Sequence, residues 1–240
     1  MDTIALSRMI PRPRQRRAYV VDSLYGDRLS FFIGGLAVVS AAAYTAVRTG
    51  EGELWLVTAG IAFFVVLRLA AFAIFLANAS HADRHPVFWK RLYSWLAVAH
   101  LALIGTWTAL THWLTVDEFS QTLSVFVALG YMIGAQGRNF SSLPLVQCQL
   151  IACILPMIVG FTALSTTRAV ILGLFLAAFY FSVVGTSRRI RGILHDAIEA
   201  SEENWRLAHT DALTGLANRV SMQTAAAKAI EEGVPFALMI

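Results

Sequence analysis

Charge is scarce in this chain of 240 residues. Only 14% of the residues are Asp, Glu, Lys or Arg, against about 25% in an ordinary soluble domain. Cysteine is scarcer still, with Cys148 and Cys153 the two present. Two cysteines exclude a disulfide framework and a cysteine zinc site. Proline is rare as well, at six residues, which argues against a disordered or collagen-like chain. Apolar residues are abundant instead, at 57%, and the mean hydropathy is +0.62. A soluble globule of this length has too little interior for that much apolar area. The composition therefore predicts an integral membrane protein with a small polar appendage.

A bilayer core about 30 Å thick needs about 20 apolar residues in a helix. Six stretches fit: Leu29–Val47, Leu54–Leu76, Trp95–Leu114, Thr122–Gly137, Leu145–Leu164 and Ala169–Thr186. The fourth is the shortest. Short polar turns separate them, such as Gly50-Glu51-Gly52-Glu53 and Val116-Asp117-Glu118. The longer gaps are Asn78–Ser94 and Arg138–Pro144. The expected fold is an all-α polytopic bundle over 29–187, behind a basic tail at 1–28.

The basic residues fall on alternate connections. One side holds Arg8, Arg12, Arg14, Arg16, Arg17 and Arg28 in the tail, with Arg84, Lys90, Arg91, Arg138, Arg188, Arg189 and Arg191. The other holds only Arg48 and Arg168. By the positive-inside rule both termini are expected in the cytoplasm, and the chain in the inner (plasma) membrane. Topology thus accounts for the pI of 9.4, and nucleic acid is not an expected partner. The tail is not a signal peptide, because its basic region is long and the apolar run after it is too long for an h-region. Its arginines are expected against anionic headgroups of the bilayer.

An ionisable residue within a span is a functional hypothesis by default. Arg68, His100 and His112 are the candidates, and no span holds an Asp or Glu at depth. Arg68 lies eight residues before the end of its span, about 12 Å at 1.5 Å per residue. Snorkelling, or bonding to backbone carbonyls, is the plain reading, and a ligand-binding role is the sharper one. His100 and His112 lie about 18 Å apart along one helix, so they cannot share one metal or haem iron. Packing or interfacial roles are expected for both. A transporter would show broken helices or buried acids, and only Pro156 interrupts a span. Gly130 and Gly134 form a GxxxG pair, read as close packing within the bundle, with a dimer contact as the alternative. Cys148 and Cys153 read as small apolar fillers.

The composition changes at Arg188. Between Arg188 and His209, residues Ile190, Ile193, Ala197, Ala200, Asn204 and Leu207 follow a 3-4-3-4-3 spacing. This is an a/d stripe of under three heptads. A competing stripe runs through Leu194, Ile198, Ser201, Trp205 and Ala208. The segment is either a single amphipathic helix or a parallel two-stranded connector, a homodimer contact in which Asn204 fixes the register. After it comes His209-Thr210-Asp211-Ala212-Leu213-Thr214-Gly215-Leu216-Ala217-Asn218-Arg219. Asp211 turns the backbone, Thr214-Gly215 is a turn signal, and Asn218 caps a helix from Arg219 to Glu232 that Gly233 ends. The run Phe236-Ala237-Leu238-Met239-Ile240 reads as a buried strand. Helix, turn, helix and strand would open an α/β domain over 210–240.

This string resembles the start of the GGDEF domain of diguanylate cyclases, which opens with D-x-L-T-G-L-x-N-R after a signalling helix. Asp211, Leu213, Thr214, Gly215, Leu216, Asn218 and Arg219 all match. Val220 stands where the family often has a second Arg. The resemblance covers about thirty residues. It implies an enzyme that condenses two GTP into cyclic di-GMP, with magnesium held by carboxylates after the first strand and in the GG[DE]EF loop. The sequence stops before those positions. No catalytic, metal or cofactor residue is therefore expected here, and the chain alone is expected to be inactive. It reads as the N-terminal part of a longer protein. A cyclic di-GMP phosphodiesterase or bifunctional protein is the runner-up. A non-enzymatic membrane sensor module comes next, and a transporter or haem-binding bundle third.

Overall fold

A computed structural model describes residues 24–25, 28–77, 85–211 and 213–233. The arginines of the tail before Arg28, Arg84 and the expected strand at Phe236–Ile240 lie outside the described residues. Seven helices are described: α1 (Arg28–Thr49), α2 (Gly52–Ala77), α3 (Pro86–Leu114), α4 (Glu118–Asn139), α5 (Leu143–Phe161), α6 (Thr166–His209) and α7 (Arg219–Glu231). Among the described residues there is no strand, only an isolated bridge between Thr210 and Ala217. No α/β part is therefore seen. The chain divides into two units, Met1–Arg188 and Arg189–Ile240, with the boundary inside α6.

Local chemistry sets the helix ends. Gly50, at φ +76°, turns the chain after α1 in a conformation that only glycine adopts without strain. Pro86 occupies the first turn of α3, where its missing N–H costs nothing. Asp117 caps α4 by accepting the Ser120 amide at 3.0 Å.

Five helices are long and apolar enough to cross a membrane: Leu29–Thr49, Gly52–Ala77, Pro86–Leu114, Leu143–Phe161 and Thr166–Ala197. Their outer faces stay apolar. Leu56, Phe63, Trp95 and Phe181 are all more than half exposed, as hydrocarbon-facing side chains should be. This is a membrane protein built as an all-α bundle. The sixth expected span, Thr122–Gly137, lies within α4 and does not meet the same standard. The reason is its interior face, where Ser120, Ser124, Arg138 and Asn139 are buried. Even so, α4 runs the length of the bundle. It meets α3 at Ser124 with Thr108, at Tyr131 with His100 and at Asn139 with Tyr93, an antiparallel order.

By contrast, α3 and α5 run parallel, and they form the most extensive helix pair in the bundle. A Cβ added at Gly105 would overlap the Cys153 carbonyl, and one added at Gly160 would overlap Ala109. These glycines allow the close approach that was expected of Gly130 and Gly134. That expectation is corrected here: among the described residues nothing lies within 4 Å of a Cβ at Gly130, and Gly134 meets only its own helix's Arg138. A GxxxG pair marks a face that permits close packing, but the helix's rotation decides which face meets a neighbour. A second correction concerns Lys90 and Arg91. They belong to α3, which begins at Pro86, nine residues before the expected span.

Candidate functional site

Arg68 does not snorkel. Its residue is 2% exposed, so the helix turns it inward rather than toward lipid or headgroups, and among the described residues it makes no bond to a backbone carbonyl. Its Nη1 lies 3.4 Å from the Tyr131 hydroxyl and 3.5 Å from His100 Nδ1. The Tyr131 hydroxyl is 3.2 Å from the same nitrogen. The guanidinium carbon sits over the Phe31 ring at 4.2 Å and the Tyr93 ring at 5.2 Å, a geometry that attracts a cation. Four helices thus build one layer: α1 gives Phe31, α2 Arg68, α3 Tyr93 and His100, and α4 Tyr131.

A second buried cation belongs to this layer. Arg138 is 8% exposed. Its guanidinium carbon lies 5.9 Å from the Phe31 centroid and 5.4 Å from that of Tyr131. The two arginines therefore share two aromatic neighbours. Among the described residues the ion pairs are Arg48–Asp117, His195–Glu199 and Arg206–Glu203, so neither buried arginine has a carboxylate. Burying an unpaired charge costs several kcal/mol. A second positive charge in the same layer adds repulsion.

The unpartnered atoms are all of one kind. Among the described residues the buried atoms without a hydrogen bond are Arg68 Nη2, Arg138 Nε and Nη2, His100 Nε2 and Gln149 Nε2. Arginine and the glutamine amide nitrogen only donate. His100 Nδ1 faces Arg68, which has only donors, so Nδ1 accepts and the proton resides on Nε2. All five atoms are then donors awaiting an acceptor. Gln149 joins the layer through a chain in which Tyr93 donates to Asn139 at 2.8 Å and Asn139 donates to Gln149 at 2.8 Å.

An aromatic cluster covers one side. Tyr25 stacks on Phe75 at 4.1 Å and meets Phe72 and Tyr93 edge-on. Burial, then the Tyr93 phenol, raises the Tyr25 hydroxyl above its ordinary value, with Arg68 opposing. A crevice lined by Tyr25, Ala71, Phe72, Tyr93 and Leu96 reaches Arg68, with no room for a water molecule inside it.

His112 takes no part. Its Nδ1 contacts the Thr108 carbonyl at 2.8 Å and its ring packs on Phe161. Cys153 is buried and Cys148 exposed. At the opposite end of the bundle Arg48 grips Asp117 through Nε and Nη2, at 2.7 and 3.0 Å. Arg48, then Ser120, holds the Asp117 carboxyl well below its ordinary range.

In the second unit, Asp211 Oδ1 accepts from the Thr214 amide, the Thr214 hydroxyl and the Leu213 amide at 2.9, 2.9 and 3.1 Å. The same contacts, the Thr214 amide first, lower the Asp211 carboxyl below its ordinary value. Gly215 takes φ +68°. Asn218 works in both directions: its Nδ2 donates to the Ala208 carbonyl at 2.7 Å, and its Oδ1 accepts the Ser221 amide at 3.1 Å. Leu213 and Leu216 are 95% and 69% exposed, and Arg219 is exposed.

No protein-family model, curated protein or solved structure matches this chain. The likeness to a GGDEF domain start accordingly rests on Asp211–Arg219 and on the chemistry of that turn.

Sequence reasoning singled out Arg68 and left its partners unread. Arg138 went unnoticed as a site residue because it was counted among loop charges. Its signal was its spacing, seven residues after Tyr131, which places both on one face of a helix.

Proposed function

We propose that this chain is the membrane and connector part of a signalling protein of the diguanylate cyclase family, with the bundle as sensor or anchor. The turn from Asp211 to Arg219 carries the reading. Asp, Thr, Gly and Asn of the motif each have a specific task there, and none of those tasks is catalytic. Leu213 and Leu216 are left uncovered, as two apolar residues would be at the root of a domain that packs over them. A parallel homodimer through the connector stripe of Ile190, Ile193, Ala197, Ala200, Asn204 and Leu207 is part of this reading. A dimer suits a reaction between two GTP molecules held on facing domains, with magnesium bound outside this chain's residues. The distribution of basic charges supports both termini in the cytoplasm of an inner-membrane protein.

The test is the cyclic di-GMP level of cells expressing the complete gene. A rise supports the cyclase, and a fall supports the phosphodiesterase. An unchanged level overturns both and favours a sensor without enzymatic activity. A periplasm-active reporter fused after Arg191 should be silent, and a strong signal would break the topology.

A further inference from the structure

The bundle holds two buried guanidinium groups in one aromatic layer, and no described carboxylate touches either. Every unpartnered buried polar atom of the layer is a donor once the His100 tautomer is fixed by Arg68. Water would leave the charge uncompensated, and a cation would add to the repulsion. The missing component is an anion that only accepts. Donors reach the layer from α2, α3, α4 and α5, which suits a tetrahedral group with three or four oxygens better than a planar carboxylate with two. We propose that Arg68 and Arg138, with His100 beside Arg68 and Gln149 linked to the layer through Asn139 and Tyr93, form a binding site for a phosphate group inside the membrane bundle.

The site lies at the end of the bundle where α1, α3 and α5 begin. Arg138 is one residue from the end of α4. Arg68 is nine residues from the end of α2, about 14 Å along the helix. A phosphate there comes either from a phospholipid headgroup drawn down between helices or from a free phosphate or phosphate ester. The crevice bordered by Tyr25, Phe72, Tyr93 and Leu96 reaches Arg68 but is too narrow to admit a water molecule, so ligand entry requires these rings to part. The site does not depend on the signalling reading of the turn.

The experiment uses the full chain, delipidated in dodecyl maltoside, which carries no phosphate. Inorganic phosphate and dioleoyl phosphatidylglycerol are titrated separately, with thermal unfolding and native mass spectrometry as readouts. A saturable rise in Tm with one bound species is expected from at least one probe. A response to phosphatidylglycerol alone assigns the lipid source, and a response to inorganic phosphate assigns the free anion. Arg68→Met and Arg138→Met should each weaken half-saturation roughly tenfold or more, while Arg168→Gln, at an exposed position, should not.

Without either probe the two methionine variants should melt no lower than the wild type, because an unpaired buried charge has been removed. Arg68→Lys keeps the charge without the fork and should also bind more weakly. The proposal is overturned if neither probe binds the wild-type chain. It is equally overturned if the variants bind as well as wild type, or if they are destabilised without either probe.

Discussion

The bundle and the turn after α6 treat polar groups in opposite ways. In the turn, Asp211, Thr214 and Asn218 are matched to backbone groups within ten residues of themselves, and the apolar side chains Leu213 and Leu216 are left over. In the bundle the apolar interior is closed around Trp107, Ile104 and Met157, and polar donors are left over. The turn satisfies its polar groups within one stretch of chain, whereas the bundle relies on contacts between helices.

The comparison can be broken first at the α3–α5 contact. Gly105→Ala and Gly160→Ala each force backbone apart and should cost about 3 kcal/mol or more, read as a lower Tm in detergent. Gly130→Ala meets nothing and should leave stability unchanged or raise it by up to about 1 kcal/mol. Equal losses at all three would show that the close approach lies elsewhere.

Next in size is Asn139→Leu, which strands the Tyr93 hydroxyl and the Gln149 carbonyl. It should cost roughly 2–6 kcal/mol, at about 1–3 kcal/mol for each orphaned group. A neutral result in thermal unfolding would remove Asn139 from the structural account.

Asn218→Ala should be smaller and confined to its own unit. Loss of the cap costs about 1 kcal/mol, seen as faster amide exchange at Ser221 with exchange in α1–α5 unchanged.

The smallest effect is that of pH. The Asp211 carboxyl is depressed in the folded chain. Its contribution is therefore complete above the ordinary value of 3.8 and lost as pH falls through the lower folded value. Protection of the Leu213 and Thr214 amides should follow that course, and Asp211→Asn should flatten it. The Asp117 cap of α4 should behave likewise at the Ser120 amide, since its carboxyl is depressed too.

Much of the fold was legible because its signals are local. Apolar runs bounded by Gly50 and Asp117 gave helices close to their true extents. The start of α3 was missed because Lys90 and Arg91 interrupt the apolar run, although a helix carries surface charge easily at a membrane edge. The α4 helix was placed correctly, but its polarity belongs to an inward face that only neighbouring helices reveal. At the candidate site, Arg68 stood out as a charge in an apolar stretch. Its burial, Arg138 beside it and the His100 tautomer did not.

The sequence by itself determined that this is a helical membrane protein, where the helices lie, and how Asp211 to Arg219 turns the chain. Hydropathy over twenty residues and hydrogen bonds over ten are properties of neighbouring residues. Tertiary structure alone decided that Arg68 and Arg138 both neighbour Phe31 with no carboxylate on either among the described residues, and that Gly105 and Gly160, not Gly130, let two helices touch. Those outcomes depend on the rotation of each helix about its axis, which is set by the packing of all its neighbours together.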